Sequence, residues 1–579
     1  MLAALPGRSS GVLLHVTSLP SAHGVGDVGT EALRFLDWMH KAGQTLWQFL
    51  PLNPHGHAGS PYGTPSALAA NPILISLEPL VTVGLLKNEE LKELLALPKD
   101  KVDYDRVTPM KRRLLRIARD RFRDNNEETE GDAATKTSTE TADTKVPATI
   151  LSEWADRFDQ FVLREGPTWL DDYALFTALR EHHGKCWVDW PADVRDRKAP
   201  AMKRARKDLA AEIDEHMFNQ FLFDLQWTQV RARARELGIK LVGDIPIFVA
   251  YDSADVWSHR QMFKLDVDGK QLAQAGVPPD YFSATGQLWG NPVYDWAAIA
   301  KDDYKWWTLR CRRTLALTDV IRIDHFRGFE AAWEVPAADT TAMNGKWVKG
   351  PGAKVFKAVD KALGGKMPVI AEDLGVITAE VEAVRDEMGY PGMKVLQFAW
   401  GGGSPYNPRG DHLPHNLRGR HCVYYTGTHD NNTARGWAEQ ATPAERRAVR
   451  RYVGRAAPGA HSVDEAPAAK RKRVNDGAVN VSAPAGGSAA IKSDTPADDG
   501  DDAKDVIDTA SMDFIRLALA SVADMAIFQL QDALDLGTDC RMNLPATAEG
   551  NWGWRALDGQ MTDGIAAQLR NITEFYGRI

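Results

Sequence analysis

Val320-Ile321-Arg322-Ile323-Asp324-His325-Phe326-Arg327-Gly328 begins as a short apolar strand and ends on an acid. Side chains alternate across a strand, so Arg322 and Asp324 fall on one face. Two further stretches have the same form: Val369-Ile370-Ala371-Glu372-Asp373-Leu374-Gly375 and Val423-Tyr424-Tyr425-Thr426-Gly427-Thr428-His429-Asp430-Asn431. Nearly continuous apolar runs suit strands buried on both faces of a parallel sheet. The predicted strands are Gly11–Thr17, Thr45–Leu50, Lys240–Ile245, Asp319–Ile323, Met367–Ala371, Met393–Phe398, Val423–Thr426 and Met525–Phe528. Helical patterns lie between them. The clearest covers Lys207–Leu237, where Ile213, Met217, Phe221 and Leu225 recur at spacing four. Alternating strands and helices of this number predict the α/β class and a TIM (β/α)₈ barrel. Chemistry on such a barrel sits at the carboxyl ends of the strands, where these acids lie.

The chain has 579 residues. Length alone would suggest roughly four domains, but the strand pattern predicts one catalytic barrel unit over 1–579. Residues 80–237 read as a mainly helical insertion. The polar stretches 125–145 and 457–505 have too few large apolar side chains to offset the entropy of ordering, so both are expected to be disordered. The second contains Lys470-Arg471-Lys472-Arg473, read as a solvated charge run. With 70 Lys+Arg against 78 Asp+Glu the net charge is −8, which argues against a nucleic-acid partner. No apolar run is long enough to span a membrane, and Met1–Ser10 lacks a signal pattern. Cys186, Cys311, Cys422 and Cys540 are widely spaced, so no metal site or disulfide framework is expected. A reducing, cytoplasmic location fits, with a mature plastid form as the alternative. Oligomeric state is not legible.

Eighteen Trp and 13 Tyr offer flat apolar faces with polar edges, which match a sugar ring. Core packing claims most of them. At the strand ends, a guanidinium beside a carboxylate favours the ionised form, so Asp324 is suited to be a nucleophile. Glu372 follows an apolar run, and desolvation there favours the protonated form of a general acid. One ionised and one protonated carboxyl are what retaining glycoside cleavage requires. Asp430, beside His429, would hold sugar hydroxyls and favour a distorted ring. Taken singly, each feature also has a structural reading: an ion pair at Arg322–Asp324, a helix start at Glu372-Asp373, a capping turn at Asp430-Asn431. Together at three strand ends they favour catalysis.

These three segments resemble the catalytic motifs of the 4-α-glucanotransferases called amylomaltases or disproportionating enzymes, glycoside hydrolase family 77. The resemblance continues through Gly11–Pro20, Gly59-Ser60-Pro61-Tyr62, Asp172–Phe176, Gly243–Val249, Gly276–Ser283, Gly286–Pro292, Arg541-Met542-Asn543 and Gly550–Arg555. It implies a TIM barrel with insertions and no cofactor or metal. It implies Asp324 as nucleophile, Glu372 as acid/base and Asp430 as transition-state stabiliser. Arg322 and His429 resemble the residues that hold the nucleophile and the sugar. Asp244 matches the family's acid at the third strand. Tyr62, Trp289 and Asn543 fall where the family contacts glucan, and Gly276–Asn291 resembles a loop covering the donor site.

There are departures from the family pattern. Gly63–Leu68 differs from the usual substrate loop, and Asp535 and Ala546 stand where the family commonly has Gly. If Ala546 needs a positive φ, its backbone is strained. The implied activity is transfer of α-1,4-glucan segments to the 4-hydroxyl of an acceptor glucan or glucose, with retention of configuration. The alternatives are an α-glucan hydrolase using the same three acids, or a non-catalytic glucan-binding barrel.

Overall fold

The computed structural model describes residues 4–131, 148–279, 283–400, 407–455, 499–547 and 549–579. Eight parallel strands form a barrel: β1 (Ser9–Leu13), β2 (Leu46–Gln48), β3 (Lys240–Ile245), β4 (Val320–Ile323), β5 (Val369–Ala371), β6 (Gly392–Val395), β7 (Cys422–Tyr425) and β8 (Met525–Gln529). Each pairs with its neighbour in chain order, and β8 returns to β1 with Gly11 opposite Ile527. The remaining seam, between β5 and β6, is joined by Ala371 N–H donating to Pro391 O at 2.9 Å. All eight predicted strands are present. Several end earlier than predicted, because the chain turns into single 3₁₀ turns at Val16–Ser18 and Leu396–Ala399.

Alternation along the strands sorts the side chains. Leu13, Leu46, Val242, Val320, Ile370, Met393, Val423 and Met525 fill the interior. Nearer the carboxyl ends the inward positions turn polar: Gln48, Asp244, Arg322 and Gln529 are all buried. Strand spacing sets one sequence choice here. A Cβ at Gly11 would lie 2.1 Å from Leu46 O, so only glycine lets β1 and β2 approach.

Among the described residues of 80–237 no strand occurs. Helices span Tyr104–Gly131, Ala148–Glu165, Asp171–His183, Ala199–Asp208 and Ala210–Glu236. The last is buried on more than one face, because it lies between the barrel and the insertion. Gln220 bonds both the N–H and the carbonyl of Ala70, and Gln226 does the same for Ser76, all at 2.8–2.9 Å. Of the stretches expected to be disordered, 125–131 and 499–505 are helical, as ends of Tyr104–Gly131 and Asp499–Ala520. The rest of both stretches, 132–145 and 457–498, lies outside the described residues.

A second, antiparallel sheet has the order Gln287–Pro292, Ala273–Val277, Ala331–Pro336, Lys346–Lys349. The two ends of the segment read from sequence as the covering loop, Gly276-Val277 and Gln287–Asn291, lie in its strands; residues 280–282 lie outside the described residues.

Asp535 and Ala546 both adopt the left-handed region, with φ of 52° and 63°. The strain at Asp535 is offset by Arg435, whose Nη1 donates at 2.8 Å, and by the Ser511 hydroxyl at 2.8 Å. Ala546 has a methyl only. Ala546→Gly should therefore raise stability by about 1 kcal/mol, whereas Asp535→Gly should gain nothing. Chemical denaturation midpoints of both variants, compared at constant slope, check this; equal gains would show that the side-chain bonds of Asp535 contribute nothing.

Candidate active site

Parallel register places Asp244 of β3 directly opposite Arg322 of β4. Arg322 Nη1 donates to Asp244 Oδ2 at 2.7 Å, and Nη2 donates to Asp324 Oδ1 at 2.9 Å. The Tyr62 hydroxyl donates to the same Asp244 oxygen at 2.7 Å. Burial works against the Arg322 charge, but Asp244 and Asp324 more than offset it and hold its pKa above the ordinary arginine value. Asp324 itself is half-exposed and lines a cavity of about 530 Å³ shared with Tyr62, Phe248, Trp289 and His325.

Glu372 follows β5 immediately. Its carboxyl accepts His325 N–H at 2.7 Å and Leu374 N–H at 2.9 Å. His325 adopts a left-handed conformation, φ 50° and ψ 50°, which aims its N–H at Glu372. Burial, and then the Asp324 charge, push Glu372 up to about 8; Arg322 and the two N–H bonds act in the opposite direction. At neutral pH the site thus holds a protonated carboxyl near a carboxylate paired with a guanidinium.

The third acid stands on the loop after β7. Asp430 Oδ1 accepts from Asn543 Nδ2 at 2.6 Å and lies 3.4 Å from His429 Nε2. Arg541 donates to the Asp430 carbonyl, and Asn543 N–H donates to His429 O at 3.1 Å. The His429 ring stacks on Tyr62 at 5.2 Å and 17°, with Trp552 5.8 Å from both.

Every site residue expected from sequence therefore falls at the carboxyl end of the barrel, in one of these linked groups. Two differ in environment from expectation. Tyr62 has one ring face against His429 and its hydroxyl on Asp244, so it is a holder of the site as well as a cavity wall. Trp289 stands on an antiparallel strand, not a loop, 37% exposed and edge-on to His325 at 4.9 Å. Sequence reasoning gave no role to His325, Arg541 or Trp552. His325 lies within the stretch Val320–Gly328, but its backbone conformation leaves no mark in the residue pattern. His15, which ends the approach from β1, is also buried here, and burial followed by the nearby His429 pushes it down to about 3. Among the described residues no group of three or more His, Cys, Asp or Glu could hold a metal ion, and no helix is long and apolar enough to cross a membrane.

A family model described as 4-alpha-glucanotransferase matches residues 14–560. The chain is 42% identical over 578 residues to a 4-alpha-glucanotransferase of Synechocystis sp., and 40% identical over 575 residues to one of Thermus thermophilus; each alignment covers 99% of both chains. Among solved structures it is similar to an amylomaltase from Streptococcus agalactiae in complex with acarbose, with a TM-score of 0.81, 32% identity and 99% of both chains covered.

Because the Glu372 pKa is raised, its proton is retained through neutrality and lost as pH rises through about 8; stability tied to the neutral form is fully present below the ordinary glutamate value of 4.5 and falls as pH rises from there through about 8. A ¹³C NMR titration of the Glu372 carboxyl should show that midpoint. Asp324→Asn should move it downward, since the Asp324 charge is the second cause of the rise. An unmoved midpoint in that variant would leave burial as the only cause.

Proposed function

The chain belongs to the 4-alpha-glucanotransferase family, and we propose that Asp324 is the nucleophile and Glu372 the acid/base of a retaining transfer of α-1,4-glucan segments. The observation that carries this is the pairing just described: Glu372 protonated by its surroundings, with Asp324 on the guanidinium of Arg322. In the first step an Asp324 oxygen attacks the anomeric carbon. The glycosidic bond breaks, and its oxygen takes the Glu372 proton. In the second step Glu372, now a carboxylate, removes the proton of an acceptor 4-hydroxyl. That oxygen attacks the anomeric carbon and displaces Asp324, so configuration is retained. No redox step or cofactor enters.

Asp430 is proposed to hold sugar hydroxyls in the distorted ring, aided by His429 and oriented by Asn543. Arg322 and Asp244 hold the nucleophile. Trp289 offers its exposed indole to a glucose ring, and Tyr62 its edge. A retained glucosyl-type intermediate must meet a sugar hydroxyl before water, which favours a walled cavity of this kind. Donor and acceptor are α-1,4-glucans, maltooligosaccharides included. All four cysteines are free thiols, which suits a reducing compartment such as the cytosol.

Incubation with maltotriose tests the reaction class: glucose together with chains longer than maltotriose is expected, and glucose with maltose alone would mark a hydrolase. The roles separate with an activated donor. Glu372→Ala should lose most activity on glucans, yet still glycosylate Asp324 from an α-glucosyl fluoride, whose leaving group needs no proton. Azide should rescue turnover in Glu372→Ala and not in Asp324→Ala. Mass spectrometry placing the label on Glu372 or Asp430 would overturn the assignment. Trp289→Ala should weaken glucan binding by about 1–3 kcal/mol, read as KM.

A further inference from the structure

The loop bearing Asp430 is gripped from below by a turn that touches none of the reacting groups. Leu530–Ala533 follows directly on β8. Its Asp532 is 1% exposed and accepts from the Thr426 hydroxyl at 2.6 Å and from Ala434 N–H at 2.7 Å. Thr426 directly follows β7, and Ala434 opens the helix Ala434–Gln440. Those two bonds bracket residues 427–433, which include His429 and Asp430. Inside the bracket, the Asn432 carbonyl accepts from Gln397 Nε2 at 2.7 Å and from Gln529 Nε2 at 3.1 Å. Gly427 sits so close to these amides that a Cβ there would lie 2.7 Å from each.

The same turn holds the other side of Asp430. Gln531 Nε2 donates to Cys540 O at 3.2 Å, which ties the turn to the segment supplying Arg541 and Asn543. Both residues bond Asp430. One four-residue turn thus anchors the Asp430 loop and the groups that orient Asp430. Burial pushes the Asp532 carboxyl up to about 6, while its two donors act against the rise. At neutral pH it is ionised and accepts from both partners; the Ala434 N–H needs an acceptor, whereas the Thr426 hydroxyl can either give or accept.

We propose that Asp532 is a positioning residue for the transfer reaction, acting through Asp430. This rests on the reading of Asp430 given above. Small misplacements of a stabilising group cost large factors in rate, of order 10²-fold per Å, so a bracket on its loop is felt in kcat.

A double-mutant cycle tests this. In otherwise native protein, Asp532→Ala should lower kcat for maltotriose disproportionation about 10–100-fold, with KM changed less than about twofold. The cycle itself is run on one donor for all four proteins, an α-maltosyl fluoride that keeps turnover measurable: the loss caused by Asp532→Ala should be less than about threefold in an Asp430→Ala background and clearly larger where Asp430 is present. Asp532→Asn can place its oxygen on Ala434 N–H and its amide on the Thr426 oxygen, so it should restore most of kcat. If Asp532→Ala does not fold, Thr426→Val removes one arm of the bracket alone and should show the same non-additivity at smaller size. Equal losses with and without Asp430, or full kcat in folded Asp532→Ala, would overturn the inference. Failure of the wild-type protein to lengthen maltotriose would refute the proposed function instead, before any variant is made.

Discussion

The Arg322 guanidinium lies between Asp244 and Asp324, its side chain 5% exposed. A cation buried this far from water is tolerable only while its partners remain; removing one partner of such a group costs about 3–5 kcal/mol, because the charge is left unpaired. Each partner is placed by the barrel itself. The parallel register sets Asp244 opposite Arg322, and the two-residue period sets Asp324 on the same side of β4. A one-residue slip of β4 against β3 would turn Arg322 outward and leave Asp244 in the interior without a cation. The ion network is therefore a condition on the sheet as much as a product of it. The nucleophile proposed here inherits its position from that condition.

The rest of the site is held by two different means. Asp324 and Glu372 depend on main chain: Asp324 N–H donates to Ile245 O at 2.9 Å, Glu372 N–H to Ile323 O at 3.0 Å, and Phe326 N–H to Glu372 O at 3.1 Å. These extend the ladders among β3, β4 and β5 beyond the strands. Asp430 lies past the end of β7, where no ladder continues, and side chains replace it: Asn543 and Arg541 above, Gln397, Gln529 and Asp532 below. Side-chain anchors can be lost one at a time, whereas ladder bonds are lost only with the strand. The Asp430 half of the site is the more open to change by single substitutions.

What the sequence revealed follows from the same division. The barrel strands are apolar runs ending at chemistry-bearing residues, and both features survive in one dimension. Arg322 and Asp324 are legible because a two-residue period sets them on one strand face, and Glu372 and Asp430 because they follow apolar runs; Asp244 comes from the family resemblance alone. The antiparallel sheet was not, since Ala273–Val277 and Gln287–Pro292 carry Ala, Gln, Gly and Asn in place of β-branched residues. Ala273–Val277 is held by pairing with Ala331–Pro336, a contact distant in sequence, and Gln287–Pro292 by pairing with Ala273–Val277. The helix Ala210–Glu236 was read from one apolar face, yet Gln220, Gln226 and Glu215 are buried too, each satisfied by partners in segments 70–76 or 112–116 that periodicity does not reveal. The resemblance places Tyr62 at a glucan contact, and only the fold brings His429 against its ring. The helical ends at 125–131 and 499–505 extend into polar sequence because packed, apolar portions of the same helices nucleate them.

Glu372 shows how opposed effects set a working value. Burial alone would carry its pKa far upward, and the Asp324 charge adds to that. Two backbone N–H bonds and the Arg322 charge pull it back. One of those bonds comes from His325, whose left-handed backbone costs about 1–2 kcal/mol in a non-glycine residue. The strain makes a donor point at the carboxyl, and a donor favours the ionised form. The acid/base role proposed for Glu372 asks the same carboxyl to give a proton in one step and take one in the next, so the most useful pKa lies near the working pH and not far above it. Without the His325 N–H its pKa would lie higher still, and Glu372 would give up its proton less readily to the departing oxygen. The strained residue beside the proposed nucleophile thus favours the first half of the proposed reaction, in which Glu372 gives its proton.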